Sequence, residues 1–500
     1  MSLASKLFAT TNIEKLRAIA DQRILRRALT AKDLVAIGLG TMIGGGIFTT
    51  IGPGIKLAGP AIIISYLLAG IASFFAALCY AELGAMVPIA GSAYTYAYAT
   101  LGQLVAWIIG FSLLFEYGVS AAPVAQQFSG AIQSALQGFG VALPTWAQTS
   151  HLVVHGPWWN PMGWDLLHSQ YDIVGAVFVI LLSLLLSIGI RETATTNNVF
   201  VVLKIGALIV FVAFGITIFH PQNLHPFITQ GWGKLTPFSG GNGVGIIPGA
   251  ALVFFSYIGF DTATTTAEEC KNPKRDVPMG VIGALLIGTV IYCAVAIVLV
   301  GDVPWKQVDQ NAALQAAIAP LHNWFANWAI TLGVIAGTTS VALSSLLGQT
   351  RIFYVMARDR MLPPFVAKIH PRFKTPMLMT MITGVGVALL TLIVPLTVLL
   401  DLVNIGTLMA FMVVCAGVIY LRRTRPDLPR SFRSPFVPWF PLLGILFSGF
   451  LAVFGLTSLT WIRFIISLAI GLIIYFAYGF RKSNPEEIEP VIEPEGLEFT

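Results

Sequence analysis

Apolar residues in this chain gather in long runs separated by short polar segments. About twenty apolar residues, at 1.5 Å each, cross a hydrocarbon layer ~30 Å thick. Runs of that kind lie near 33–55, 58–84, 93–128, 171–190, 197–219, 245–268, 278–301, 324–356, 377–395, 398–420, 437–456 and 459–480. The pattern predicts an all-α polytopic membrane protein with 12 transmembrane helices. The third and eighth runs exceed the needed length, which predicts tilt or helix continuing beyond the bilayer.

Two runs contain residues that a membrane helix ordinarily avoids. The first holds "GLGTMIGGGIF", with Gly38, Gly40, Gly44, Gly45 and Gly46 near its middle. Each glycine weakens a helix interior by about 1 kcal/mol relative to alanine. The sixth holds "FFSYIGFDTATTTAEE", with Gly259 and Asp261 inside an apolar stretch. The two runs are five apart, and matched interruptions are the sequence mark of an inverted repeat. That reading rests on position, since the halves show no convincing residue-level repeat.

If both segments are unwound, N–H groups at one half-helix start attract a carboxylate, and carbonyls at another half-helix end attract an ammonium. A small zwitterion satisfies both and offsets the several kcal/mol that each unpaired backbone group costs in hydrocarbon. A second reading of the same glycines is close helix packing through small residues. A nucleotide-binding fingerprint is excluded, because the glycine spacing is wrong and no strand precedes it.

Composition agrees with the membrane reading: 56% of residues are apolar and 10% charged, against roughly 25% charged in soluble domains. The net charge of +6 is explained by sidedness. With the N-terminus inside, 24 of the 29 Lys and Arg residues fall in inner segments. Lys56, Lys234, Lys306 and Arg463 fall outside, and Lys204 lies within the fifth run. This asymmetry follows the positive-inside rule and brings both termini to the cytoplasm. A nucleic-acid partner is not needed to explain the basic balance.

The chain divides into a cytoplasmic segment 1–32, a core 33–420, two additional spans in 421–480 and an acidic tail 481–500 expected to be disordered. No cleavable signal peptide is visible. Residues 12–29 alternate apolar and basic positions, as a helix on the inner membrane surface or a solvated helix would. The outer loop 129–170 carries Trp146, Trp158, Trp159 and Trp164 without a basic residue, which suits an interfacial covering. Cys79, Cys270, Cys293 and Cys415 show neither disulfide nor metal-ligand spacing.

The segments "IGLGTMIGGGIF", "YAELGAMVPIAGSAYTYAY", "SYIGFDTATTTAEECKNPKRDVPMGV" and "LLGQTRIFYVMARDRMLPP" resemble the amino acid–polyamine–organocation superfamily, and within it the cationic amino acid transporter branch in its bacterial form. The resemblance covers about residues 30–480 and implies the LeuT-type fold of five plus five inverted helices followed by two more. It also implies that Ile43, Gly44, Gly45 and Gly46 present backbone to a substrate carboxylate. Phe255, Ser256 and Ile258 would offer carbonyls to the amino group, with the Phe255 ring closing over the substrate. Relatives often read Gly-Thr-Gly where this chain has Gly44-Gly45-Gly46, so a hydroxyl near the carboxylate is absent and backbone must do more.

Ionisable groups inside a bilayer are functional candidates by default. The resemblance places the Lys204 amine between spans one and eight, where it would load and release a proton; the alternative is snorkelling of its long stem. Glu116 in "LLFEYGVS" is read either as polar glue or as a proton carrier. Asp261 either caps the second half-helix or meets a substrate side chain. Ser344 and Ser345 line the site or serve helix packing. Glu268 and Glu269 with Lys271, Lys274 and Arg275 read as an inner ion-pair cluster, and Glu82 as a structural carboxylate.

The leading expectation is amino acid:proton symport in the cell membrane by alternating access, without cofactor. Exchange without a driving ion, or polyamine uptake, is the second. An integral-membrane enzyme such as an acyltransferase is the third, but the seven histidines lie mostly in loops and no nucleophile–base spacing appears. The lipid bilayer and a substrate amino acid are the expected partners, with a small single-span protein left open. Glycines, Phe255 and apolar neighbours suit a neutral substrate or broad specificity, whereas Asp261 or Glu116 would suit a cationic one.

Overall fold

The computed structural model describes residues 7, 29–86, 92–154, 164–189, 194–240, 243–265, 270–373 and 375–482. The expected segment 12–28, Glu268 and Glu269, and the tail from 483 lie outside the described residues.

Helix α1 runs over Ala31–Ala58; the Asp33 carboxylate accepts from the Thr30 N–H at 2.8 Å and its hydroxyl at 2.7 Å. It ends where Gly59 takes a left-handed φ of 65°, and α2 follows over Ile62–Met86. The third apolar run is two helices rather than one long tilted span. A short α3, Ser92–Thr100, breaks at Gly102 before α4, Gln103–Gly138, which continues well beyond the expected end at 128. Next come α5, Ile173–Ile188, and α6, Ala194–Gly215.

The sixth run is discontinuous: α7, Ile246–Val253, passes into a 3-10 turn, Phe254–Tyr257, and a four-residue α8, Thr262–Thr265, resumes beyond Gly259. Then follow α9, Pro273–Asp302; the short α10, Ala313–Ile318; α11, Trp324–Arg358; α12, Met377–Ile393; α13, Leu396–Thr424; α14, Trp439–Phe450; and α15, Ser458–Ile474. Both of the last two helices close on π turns, Leu451–Gly455 and Tyr475–Gly479.

Among the described residues, eight stretches have the length and hydropathy to cross a membrane, the first being α1 and α2 together; three shorter apolar helices lie at Ile173–Ile188, Met377–Ile393 and Trp439–Gly455. The chain is a multi-pass, mostly helical membrane protein. Among the described residues two strands pair as an antiparallel hairpin, β1 His151–Val154 and β2 Trp164–Gln170, in the loop expected to cover the outer face.

Helix neighbours repeat when the first five spans are exchanged with the next five. Helix α4 packs on α11, α2 on α9 and α5 on α12; α1 on α9 is mirrored by α7 on α2, and α11 on α6 by α4 on α13. This is the pairing that a five-plus-five arrangement requires. Loop contacts also sort by side. At one end Lys271 N–H donates to the Leu29 carbonyl at 2.9 Å, and Arg422 clasps Glu82 through two bonds of 2.9 Å. At the other, Gln127 Nε2 reaches the Asn311 carbonyl at 2.9 Å.

Candidate functional site

The glycines of α1 answer to geometry. A Cβ on Gly44 would lie 2.5 Å from the Gly337 carbonyl of α11, and one on Gly46 would lie 2.6 Å from the Ser256 Cα. One on Gly45 would meet Val341 at 2.7 Å and Val124 at 3.0 Å. Three consecutive glycines thus let α1 press backbone to backbone against the eighth span and the 3-10 turn, as small-residue seams do in membranes.

The expectation that α1 is broken here is corrected: α1 is continuous from Ala31 to Ala58. Its 43–46 backbone keeps helical hydrogen bonding in this conformation, because three helices packed around the glycines hold it wound. In this conformation these positions serve close packing.

The sixth span is broken as expected. After the 3-10 turn the chain straightens at Ile258 (φ −68°, ψ 132°) and turns at Gly259 with φ 115°. Only glycine takes that φ without strain, and a Cβ there would strike Thr41 at 2.9 Å. The carbonyl released at Gly259 is met by Thr262 Oγ1 at 2.6 Å and Thr41 Oγ1 at 2.8 Å. The Thr262 N–H donates to the same carbonyl at 3.1 Å, and the two hydroxyls supplement that backbone bond at the break, as a broken helix in lipid demands.

Between α1, the break, α4 and α11 lies a partly open cavity of about 60 Å³, room for a few waters. Among the residues expected from sequence, Gly45, Gly46, Glu116, Phe255, Ile258, Asp261, Ser344 and Ser345 line it. Ile43, Gly44, Ser256 and Lys204 do not appear in its wall. Gly44 is turned to α11, and the Ser256 hydroxyl is spent on Thr50 at 2.6 Å. Phe255 and Ser256 carbonyls already accept, from Ile258 N–H at 3.2 Å and Tyr292 OH at 2.9 Å.

The sequence reading missed Thr41, Tyr117, Ser120, Val341 and Thr262, which complete the wall with Gly259. Helical spacing could have found most of them. Thr41 lies one turn before Gly45, Ser120 one turn after Glu116, and Val341 one turn before Ser345.

Lys204 is wholly buried, and its Nζ donates to the Gly40 carbonyl of α1. Snorkelling is thereby excluded. The amine rests on α1 one residue from Thr41, close behind the cavity. Glu116 is 5% exposed; its Oε2 finds no hydrogen-bond partner among the described residues, while its carboxylate also meets the Thr407 side chain of α13. Asp261 immediately precedes α8, the position of the expected cap, and its carbonyl accepts from Thr264 N–H at 2.8 Å. Glu82 is the structural carboxylate expected: it holds Arg422, lies 3.3 Å from Arg430 Nε and accepts from Ser434 N–H at 2.8 Å.

Comparison with known proteins gives the same direction. A family model described as amino acid permease matches residues 29–478. A branched-chain amino acid permease of Bacillus subtilis is 40% identical over 96% of this chain and 99% of its own length. A methylthioribose transporter of the same species is 37% identical over 96% and 99%. The vacuolar cationic amino acid transporter 4 of Arabidopsis thaliana is 35% identical over 81% of this chain and 64% of its own. These relatives are transporters rather than enzymes, and the chain belongs to the amino acid permease family of the amino acid–polyamine–organocation superfamily.

Proposed function

We propose that this permease is a proton-coupled symporter for neutral, apolar amino acids. It crosses the cell membrane twelve times with both termini inside and works by alternating access around the cavity between α1 and the sixth-span break. The observation that carries the reading is that break. Helix α7 ends and α8 begins against the glycine face of α1, with Phe255, Ile258 and Val341 giving the cavity an apolar side. The B. subtilis relative named for branched-chain amino acids supports a substrate such as leucine.

The cavity measures about 60 Å³ in this conformation. Unwinding Ile43–Gly46 enlarges it and frees N–H groups for the substrate carboxylate. Glycine makes this the easiest turn of α1 to unwind, by about 1 kcal/mol per residue. The Ile258 carbonyl and its neighbours at the break then face the ammonium. Lys204, seated on the Gly40 carbonyl one turn earlier, senses that unwinding directly and exchanges the coupled proton. Glu116 is the second candidate for that proton.

The test is uptake of radiolabelled leucine by proteoliposomes. An inside-alkaline pH gradient alone should drive accumulation above the external concentration. Uptake that appears only when vesicles are preloaded with another amino acid would replace symport by exchange. Failure of leucine with success of methylthioribose would replace the substrate class.

A further inference from the structure

The 3-10 turn Phe254–Tyr257 carries Phe255 into the cavity, yet as a broken piece of helix it lacks the bonds that would fix it. In an α-helix the Ser256 carbonyl would accept from residue 260; here the chain has turned away at Gly259. Tyr292 of α9 supplies the donor instead, its hydroxyl 2.9 Å from the Ser256 carbonyl. The Ser256 hydroxyl shares a 2.6 Å bond with Thr50 of α1, and Thr50 lies 3.0 Å from the Tyr66 hydroxyl of α2. Tyr257 closes the ring, donating to the Tyr66 carbonyl at 2.7 Å.

All five residues are fully buried. Their rings pack as well: Tyr66 and Tyr257 centroids stand 5.7 and 5.6 Å from that of Tyr292. Three helices thus converge on one serine, directly behind Phe255, with none of these hydroxyl groups reaching the cavity wall.

We propose that Tyr292 is a positioning residue for substrate: its hydroxyl stands in for the missing helical donor and thereby fixes where the Phe255 ring sits in the cavity. The inference rests on the proposed amino acid transport through this site. Tyr292→Phe keeps the ring and its packing but leaves a buried carbonyl without its donor, in a segment that can now shift. The KM for leucine should rise about tenfold, with Vmax changed far less.

The decisive readout is a double-mutant cycle with Phe255→Leu. If Tyr292 acts through the Phe255 ring, Tyr292→Phe adds nothing to KM once that ring is gone. Full additivity, or an unchanged KM in the single variant with only the melting temperature lowered, overturns the inference. Tyr475→Phe is the control, because Tyr475 is not among the residues lining the cavity and its buried hydroxyl finds no partner among the described residues; its KM should match wild type. If Tyr292→Phe does not fold, Ser256→Ala cuts the turn from Thr50 while sparing the tyrosine. A raised KM that vanishes beside Phe255→Leu supports positioning, and additivity overturns it. Absence of leucine uptake by the wild type defeats the proposed function and the inference together; normal wild-type uptake with an unaltered variant defeats the inference alone.

Discussion

Gly46 of α1 and Ser256 of the sixth-span turn touch backbone to backbone: a Cβ on Gly46 would lie 2.6 Å from the Ser256 Cα and 2.9 Å from its carbonyl oxygen. Neither atom can swing aside as a side chain would. Alanine in a helix gains about 1 kcal/mol over glycine, but overpacking against backbone costs about 1–3 kcal/mol. Gly46→Ala should therefore lower thermal stability. Gly206 on α6, where an added Cβ meets nothing within 4 Å, should behave oppositely: Gly206→Ala raises the melting temperature in detergent. The pair of measurements separates close packing from propensity.

The Glu82 cluster gives a second prediction. Arg430 is 2% exposed and depends on Glu82 for its only carboxylate among the described residues, apart from electrostatic help from Asp427. Glu82→Gln leaves a buried guanidinium uncompensated and should cost about 3 kcal/mol of stability. The triple variant Glu82→Met with Arg422→Met and Arg430→Met should recover most of that loss, because Glu82 pairs with both arginines and removing all three charges spares their desolvation penalties. Thermal unfolding of the two variants checks this, and a triple variant as weak as Glu82→Gln would show that the arginines have another role.

Coupling separates Lys204 from Glu116. Lys204→Met should abolish leucine accumulation driven by a pH gradient while preserving counterflow between preloaded and external leucine. Glu116→Gln should retain gradient-driven accumulation if Lys204 alone carries the proton. If Glu116→Gln is the uncoupled variant and Lys204→Met accumulates normally, the proton site moves from behind α1 into the cavity itself.

Side-chain selectivity should answer to Val341. Its methyl groups fill the space over Gly44 and Gly45 and line the cavity. Val341→Ala opens that end, and a pocket that gains or loses one or two methyl groups discriminates by roughly 10–200-fold. Phenylalanine should then compete with leucine uptake about tenfold better than in the wild type. Unchanged competition would place the substrate side chain elsewhere.

Much of this was legible in the sequence. The break at Gly259 was readable because a glycine followed by an aspartate and a threonine run has no other use in hydrocarbon. The glycines of α1 were readable as special, but their use was not. A backbone approach of Gly44 to Gly337 and of Gly46 to Ser256 is set by residues 293 and 210 positions away in the chain, and spacing alone does not distinguish it from an unwound turn. Lys204 was marked by its charge, whereas its seat on Gly40 depends on how α6 crosses α1. Tyr66 and Tyr292 were invisible as a pair, since two tyrosines in apolar runs read as ordinary core. The third run misled because Gly102, with φ 99°, ends a helix without interrupting hydropathy.

The most direct test is a structure determined with leucine bound. The expected result is ligand density between Gly45–Gly46 and Phe255–Ile258, with α1 unwound over Ile43–Gly46, N–H groups on the carboxylate and a cavity grown well beyond its present size. Leucine bound elsewhere, or seated there against an α1 still wound from Ala31 to Ala58, would contradict it.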